Sequence, residues 1–507
     1  MAEFKPYAQE QGMLFPPHIG DLIPENHLVR VVNEIVEHLD LAGITKTYVY
    51  KGGEAYHPKM LVKILFYAYA TGVFSSRKIA LLLGTDIIFM WLAAMQRPDF
   101  RTISDFRKKH RSLLEDLFTQ IVTLAVHMGL ATLGHVSLDG SKFNADASKH
   151  KAMSRGRLKL EIPKLEKEIQ ALLNEAEQID REEDESDQDP HGGNKLPDEL
   201  ASKQQRLTKL KDALQELNER QPEEDAKNAE EADKQQINFT DRESRIMVTR
   251  HHGVQQAYNP QIAVDEKHGL IVGVTLTNSP IDIGQLIPTL KHVKRVTGRF
   301  PEKITADTGY FSADNIRFCI EKEIDAYIAT SREGKKEGNP FDKTNFSYNP
   351  EKDLYVCPQG KELPLYTTTS RKGKINWIYQ GHDCLNCSCQ AQCVKSKYGI
   401  RKVTRTVDDP ILEAMRTKVQ SEAGQKVYRK RKCIAEPVWG QIKAIQGFRQ
   451  FSFRGLVANT GEFFLVSIAH NLRKILFALL KEPWDGSVKN KLNNGFNKLN
   501  QINLALI

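Results

Sequence analysis

Apolar residues recur at three- and four-residue spacing through HPKMLVKILFYAYATGV and again through RSLLEDLFTQIVTLAVHMGL. That is a helical period, and residues 1–130 read as an all-helical domain. Between these segments, SSRKIALLLGTDIIFMWLAAM offers Ser75 or Ser76 as a helix cap. Ala80 and Gly84 lie four apart, which suits a helix, a tight turn and a second helix, so the stretch is a helix-turn-helix candidate. The same pattern also fits an ordinary helical hairpin in a core. The basic string Arg101, Arg107, Lys108, Lys109, His110 and Arg111 comes next. It reads either as a DNA-facing surface or as a solvated helix face.

The period changes at GHVSLDGSKFNADASKH, where Val136, Ser137 and Leu138 predict a short buried strand ending at Asp139. A long helical excursion then occupies 153–235. Leu158, Ile162, Leu165, Ile169, Leu172 and Ala176 form a heptad seam, and Leu207, Leu210, Leu214 and Leu217 a second one. The acidic, Pro- and Gly-containing stretch between them cannot continue a helix. An antiparallel helical hairpin is expected, inserted into its host domain without breaking it. Strands resume with QQAYNPQIAVDE and LIVGVTLTN, then a helix, the strand KITADTGY, another helix and the strand IDAYIAT. This order predicts an α/β layer with a mixed sheet, built from 131–152 and 236–334. Residues 335–405 form a Lys-, Gly-, Asn- and Cys-rich insertion. Helices return over 406–482, and the Asn-rich 483–507 reads as a flexible tail.

Charge and cysteine content narrow the class. The net charge is +8, although Arg181 to Leu200 holds eight acidic and two basic residues, so the remainder is more basic than the total suggests. The balance is compatible with nucleic acid without demanding it. Seven cysteines, an odd count with most of them clustered, argue against a secreted disulfide framework and for a reducing, cytoplasmic compartment. The amino terminus shows no signal-peptide pattern. Leu61–Phe74 and Phe463–Leu480 are too short or too interrupted by polar residues to predict a membrane span.

Two acids sit where strands are expected to end, Asp139 and Asp307, each succeeded by turn-forming residues. Carboxylates at adjacent strand ends point into the crevice at the carboxyl edge of an α/β sheet. A third acid, Glu436, lies in the basic segment YRKRKCIAEPVWGQIK. Three converging carboxylates repel one another unless cations neutralise them. Carboxylate and water ligands suit Mg²⁺ or Mn²⁺, and two such ions support phosphoryl transfer. Taken singly, each acid reads first as an ordinary cap or surface charge.

Together with HIGDLIPENHLVRVV, FRTISDFRKKH, SLDGSKFNADAS, DRESRIM, ITADTGYFS, CIAEPVWGQIK and GFRQFSFRGL, these segments resemble the DDE transposases of bacterial insertion sequences, in particular the eleven-eighty-two family. The resemblance rests on the order and combined extent of the motifs. It implies a ribonuclease-H-like catalytic domain in which Asp139, Asp307 and Glu436 hold two Mg²⁺ or Mn²⁺ ions. It also implies an amino-terminal domain that recognises terminal inverted repeats, double-stranded DNA as substrate and target, a homodimer on DNA, and no membrane partner. Related families carry a Tyr, Arg, Glu, Lys signature around the third acid. Tyr428 and Lys443 match it. Arg431 falls one place early and Lys432 fills the expected slot, so either is the DNA contact, beside Arg101, Arg107 and Lys108. Pro437 implies a helix kinked or restarted at Glu436.

Cys384-x₂-Cys387-x₅-Cys393, with Cys357 upstream, has the spacing of a Cys₄ structural zinc site, with Cys389 as a spare. The other reading is a set of free thiols. Rival functions are a nuclease that cuts without transposing, an inert DNA-binding repressor, and a scaffold built on the helical hairpin.

Overall fold

The computed structural model describes residues 18–48, 54–185, 196–220, 229–249, 253–330, 340–371 and 373–481, with 490, 492, 495 and 496. The hairpin tip and most of the 483–507 tail lie outside the described residues.

A mixed sheet organises the centre of the molecule. Its main path runs Ile271–Thr277, Gly253–Asp265, His135–Gly140, Lys303–Ala306, Asp325–Ile328. The first two pairings are antiparallel and the last two parallel. The long strand Gly253–Asp265 is almost wholly buried beyond Gln255. Its first half pairs instead with Arg245–Thr249 and with Phe143–Asn144. These two short strands are absent from the sequence reading, which sees no apolar alternation there.

One hydrophobic core joins this sheet to the helices on either side of it in sequence. The helix Leu456–Lys481 carries Phe463, Leu465, Ile468 and Leu472, all buried, and packs on Pro58–Ala70, on Leu114–His127 and on the strand Ile271–Thr277. By length and composition this helix is apolar enough to cross a membrane, but 72% of its most apolar window is buried inside the molecule. At that burial a core helix explains its composition.

In the amino-terminal part, Ser75 caps the helix Ser76–Thr85 through the Lys78 N–H. Gly84 lies within that helix and does not make the turn. Asp86 makes it, accepting from Ile88 N at 2.9 Å and Phe89 N at 3.1 Å. The second helix is only Ile87–Leu92, with Phe89 and Leu92 buried.

Helices Arg155–Glu185 and Leu196–Arg220 pack Leu158, Ile162, Leu165 and Ile169 against Leu210, Ala213 and Leu217. Arg155 donates to Leu217 O, Lys211 pairs with Glu166, and Lys203 with Glu168. Residue numbers that rise on one arm fall on the other, so the arms are antiparallel. Strands Ala152–Ser154 and Gln236–Asn238 pair at the base and close the excursion.

The 335–405 stretch departs from its loop-like sequence character. It holds a five-stranded antiparallel sheet, Ser347–Asn349, Leu354–Val356, Glu362–Arg371, Lys374–Gln380 and Lys402–Thr406 in order.

Candidate active site

The parallel register Ser137↔Thr305 places Asp139 and Asp307 at neighbouring strand ends. Asp139 Oδ1 accepts from the Gly140 N–H at 3.1 Å, and Asp307 Oδ1 from the Gly309 N–H at 2.9 Å. The first strand runs one residue beyond its acid, to Gly140, and the second stops at Ala306, directly before Asp307. At Gly140 a Cβ would fall 2.4 Å from Gln261 Nε2, so a larger residue would have to push that side chain away from its place beside Asp282.

Glu436 arrives from the carboxy-terminal side. The chain runs through short helices, Glu422–Arg429, Arg431–Ile434 and Glu436–Gly440, and then a π-helical turn, Gln441–Ile445. The helix restarts at Glu436, with Pro437 in the first turn, where its missing N–H costs nothing. Beyond the π-helical turn the chain is clamped to the sheet. Asn144 N donates to Arg449 O and Phe451 N to Asn144 O. Phe143 meets Trp439, Phe448, Phe451 and Phe463 in one aromatic cluster. This clamp fixes the Glu436 segment against Phe143–Asn144, the short strand that comes next after the one carrying Asp139.

Arg431 joins the two ends. Its Nη1 lies 3.4 Å from Asp139 Oδ1 and its Nη2 3.0 Å from Glu436 Oε1. Lys432 is exposed, so of the two candidates Arg431 is the one at the acids. Burial pushes the Asp139 carboxyl up to about 6; Arg431 opposes this, while Asp307 and Glu436 add to it. Burial likewise raises Asp307, against Arg431 and the Gly309 N–H, with Asp282 adding its repulsion. The guanidinium itself loses solvation but is held charged by Asp139, Tyr428, Asp307 and Glu436.

Asp282 is a fourth carboxylate, one that no motif signalled. Its Oδ1 accepts from Asn259 Nδ2 at 2.6 Å and Gln261 Nε2 at 2.8 Å, and Lys142 Nζ stands 3.5 Å away. Its Oδ2 would meet a Cβ on Gly309 at 3.2 Å, beside Asp307 Oδ1 at 3.1 Å. Gln261 Oε1 in turn accepts from the buried Tyr310 hydroxyl.

The other expected DNA contacts separate. Lys443 Nζ donates to Ser141 Oγ at 2.6 Å and Lys142 O at 3.0 Å, next to the Asp139 strand end. Tyr428 is half-buried near Arg431. Arg101 and Lys108 are exposed. Arg107 corrects the sequence reading: it is buried, donates to Tyr69 Oη at 2.7 Å and Phe74 O at 2.9 Å, and faces Glu462 at 4.0 Å. It is a core cation and reaches no surface. His110, in the same basic string, is also buried. The DRESRIM segment is likewise structural. Asp241 accepts from Tyr258 Oη and Gly455 N, and Glu243 from Leu456 N, which anchors the start of the helix Leu456–Lys481.

As the side chains stand, no group of three or more His, Cys, Asp or Glu among the described residues is arranged to hold a metal ion. At the carboxylates, the Arg431 guanidinium is lodged between Asp139 and Glu436.

A mixed α/β sheet with three acids at its carboxyl edge and a helical region before it defines the class against which the chain can be compared. Residues 356–476 match the family model described as Transposase DDE domain. Residues 17–109 match that described as Transposase domain (DUF772). The chain is thus similar to transposases in its amino-terminal helices and again through its carboxy-terminal part, in keeping with a DDE transposase of an insertion sequence. The first match spans Arg431, Glu436 and Lys443, while Asp139 and Asp307 lie outside both. No curated protein matches the chain.

Proposed function

We propose that this chain is a DNA transposase that cuts the ends of its own element and joins them to target DNA, using Asp139, Asp307 and Glu436. The main support is Arg431 bridging Asp139 to Glu436 at a strand end where Asp307 adds a third, partly buried carboxylate. Such a set needs more positive charge than one guanidinium supplies. The sheet order, with Asp139 and Asp307 on adjacent parallel strands, supports a ribonuclease-H-like core.

The donor set fits two Mg²⁺ or Mn²⁺ ions held by the three acids, which would supply polarisation of the scissile phosphate and a more acidic attacking water. The remaining roles belong to the chain. Arg431, once released from the carboxylates, offers a planar fork to a phosphate. Lys443, tethered to Ser141 and Lys142, places a second cation at the same edge. Asp282 orients Gln261 and Asn259 beneath it.

In cleavage, a water oxygen bonds to phosphorus and the 3′-oxygen leaves as a hydroxyl. In transfer, that hydroxyl bonds to a target phosphorus and displaces the target's own 3′-oxygen. Two ends must meet, so a homodimer on double-stranded DNA is expected, with the amino-terminal helices on the terminal repeats.

Supplying an uncut end and a precut end, each together with a target duplex, tests the reading. Mg²⁺-dependent joined product supports it. Cleavage without joining indicates a nuclease, and binding without cleavage a repressor.

A further inference from the structure

The cysteines of the five-stranded sheet have no part in the proposed chemistry. Among the described residues all seven cysteines are free, and Cys357, Cys384, Cys387 and Cys393 are half-buried. These four line one small pocket of about 30 Å³. Cys389, in the same loop, does not line it.

The backbone around them is already shaped into two turns. Cys357 comes directly after the strand Leu354–Val356 and opens the turn Cys357-Pro358-Gln359-Gly360, with Gly360 at φ +76°. Gly360 N donates to Cys357 O at 2.8 Å, and Lys361 N donates to Cys357 Sγ at 3.3 Å. Cys384 and Cys387 form the second turn, closed by Cys387 N on Cys384 O at 3.3 Å. A Cβ on Gly381 would fall 2.7 Å from the sulfur of Cys384, so glycine at 381 makes room for it. Cys393 ends the short helix Gln390–Cys393 and packs with Cys357 against the sheet's own core.

That core is thin. Its buried members are Phe346, Tyr355, Leu363, Tyr379 and Val403. A unit of roughly 60–70 residues with so small a core ordinarily needs a staple. Four thiols around a cavity too small for an organic ligand, on two tight turns, suit a soft, tetrahedral ion.

We infer that Cys357, Cys384, Cys387 and Cys393 form a structural zinc site that staples the five-stranded sheet. As the side chains stand, the sulfurs do not converge to ligand distance, and each is repositioned by one torsion, χ1. Binding releases the four thiol protons as the Zn–S bonds form. With four protein ligands the site is closed, which assigns it to stability and not to turnover. The stapled sheet ends in Lys402–Thr406, whose Arg405 pairs with Glu413 of the next helix, Asp409–Gln420. The metal thereby stiffens the route by which the chain enters the helices bearing Arg431 and Glu436. This staple is independent of any catalytic role for the carboxylates.

The test is the metal content of the full chain, purified in reducing buffer without chelator or added metal. One zinc per chain is expected by mass spectrometry of the elements. Cys389→Ser should retain it and Cys387→Ser should lose it. To guard against failed folding of Cys387→Ser, Co²⁺ is also titrated into zinc-free wild-type chain. The visible bands of a tetrahedral tetrathiolate site should saturate at one equivalent. Zinc-free wild-type protein that gives no such bands with cobalt would overturn the inference. So would disulfides among the four in freshly purified protein, or loss of metal from Cys389→Ser to the same extent as from Cys387→Ser.

Discussion

Arg431 Nη1 stands 3.4 Å from Asp139 Oδ1, and both side chains are only 13% exposed. The same guanidinium holds Glu436 at 3.0 Å, so one cation ties the sheet end to the carboxy-terminal helices. In the proposed enzyme it competes with divalent ions for the same carboxylates. Arg431→Ala should therefore tighten Mn²⁺ binding by roughly tenfold, measured by calorimetry without DNA. Its cleavage of DNA should fall, since the phosphate contact goes with it. Unchanged or weaker Mn²⁺ binding would show that Arg431 does not compete for the site.

Lys443 and Arg107 make opposite predictions although sequence reasoning grouped them. Lys443→Met should weaken binding to all DNA sequences alike and reduce the salt dependence of log K by about one. Arg107→Met should leave that slope alone. It removes the cation that faces the fully buried Glu462 side chain, leaving that carboxylate only its hydrogen bonds from Tyr69 and Ser452, and should lower unfolding free energy by about 3 kcal/mol. Denaturant melts and salt titrations of both variants separate the two roles.

Asp282 is predicted to be a positioning residue. Asp282→Asn keeps the shape but loosens the hold on Asn259 and Gln261. Metal affinity should drop by about 10–100-fold with little change in DNA affinity. Equal losses in both, accompanied by a lower melting temperature, would point to a purely structural part.

His470 sets an acid limit on stability. Burial lowers its pKa to about 3, and its Nε2 lies 3.0 Å from Gly269 O in the core. The folded state thus binds this proton less readily than the unfolded chain, whose value is near 6.5. Stability is unaffected above about pH 6.5 and is lost as pH falls below it, by about 2 kcal/mol at pH 5. His470→Gln, which does not titrate, should flatten that part of the stability curve in denaturant melts at pH 5 and pH 7.

Much of this was legible in the residues alone. Asp139 and Asp307 announced themselves because a buried strand that stops at an acid before glycine or threonine leaves that acid at the sheet's edge. The heptad seam of Leu158 to Ile169 marked the hairpin by period alone. The five-stranded sheet escaped notice because strands such as Glu362–Arg371 are rich in Thr and Ser and show little apolar alternation. Arg107 misled because charge is visible in sequence, whereas the Tyr69 and Glu462 that enclose it come from distant segments. Asp282 carried no local pattern, since its partners lie on a strand before it. Arg431 and Lys432 could not be told apart until the helix was seen to break at Glu436 and turn one of them inward.

If Asp139, with Asp307 and Glu436, cuts DNA, the carboxylate at the end of the central strand is indispensable. The decisive assay is Mg²⁺-dependent cleavage of a duplex carrying the DNA that flanks the reading frame, comparing wild type with Asp139→Asn. Specific nicking at the element's end is expected of the wild type, with a loss on the order of 10³-fold in the variant and DNA binding retained. Cleavage by Asp139→Asn at the wild-type rate would contradict a catalytic role for these acids.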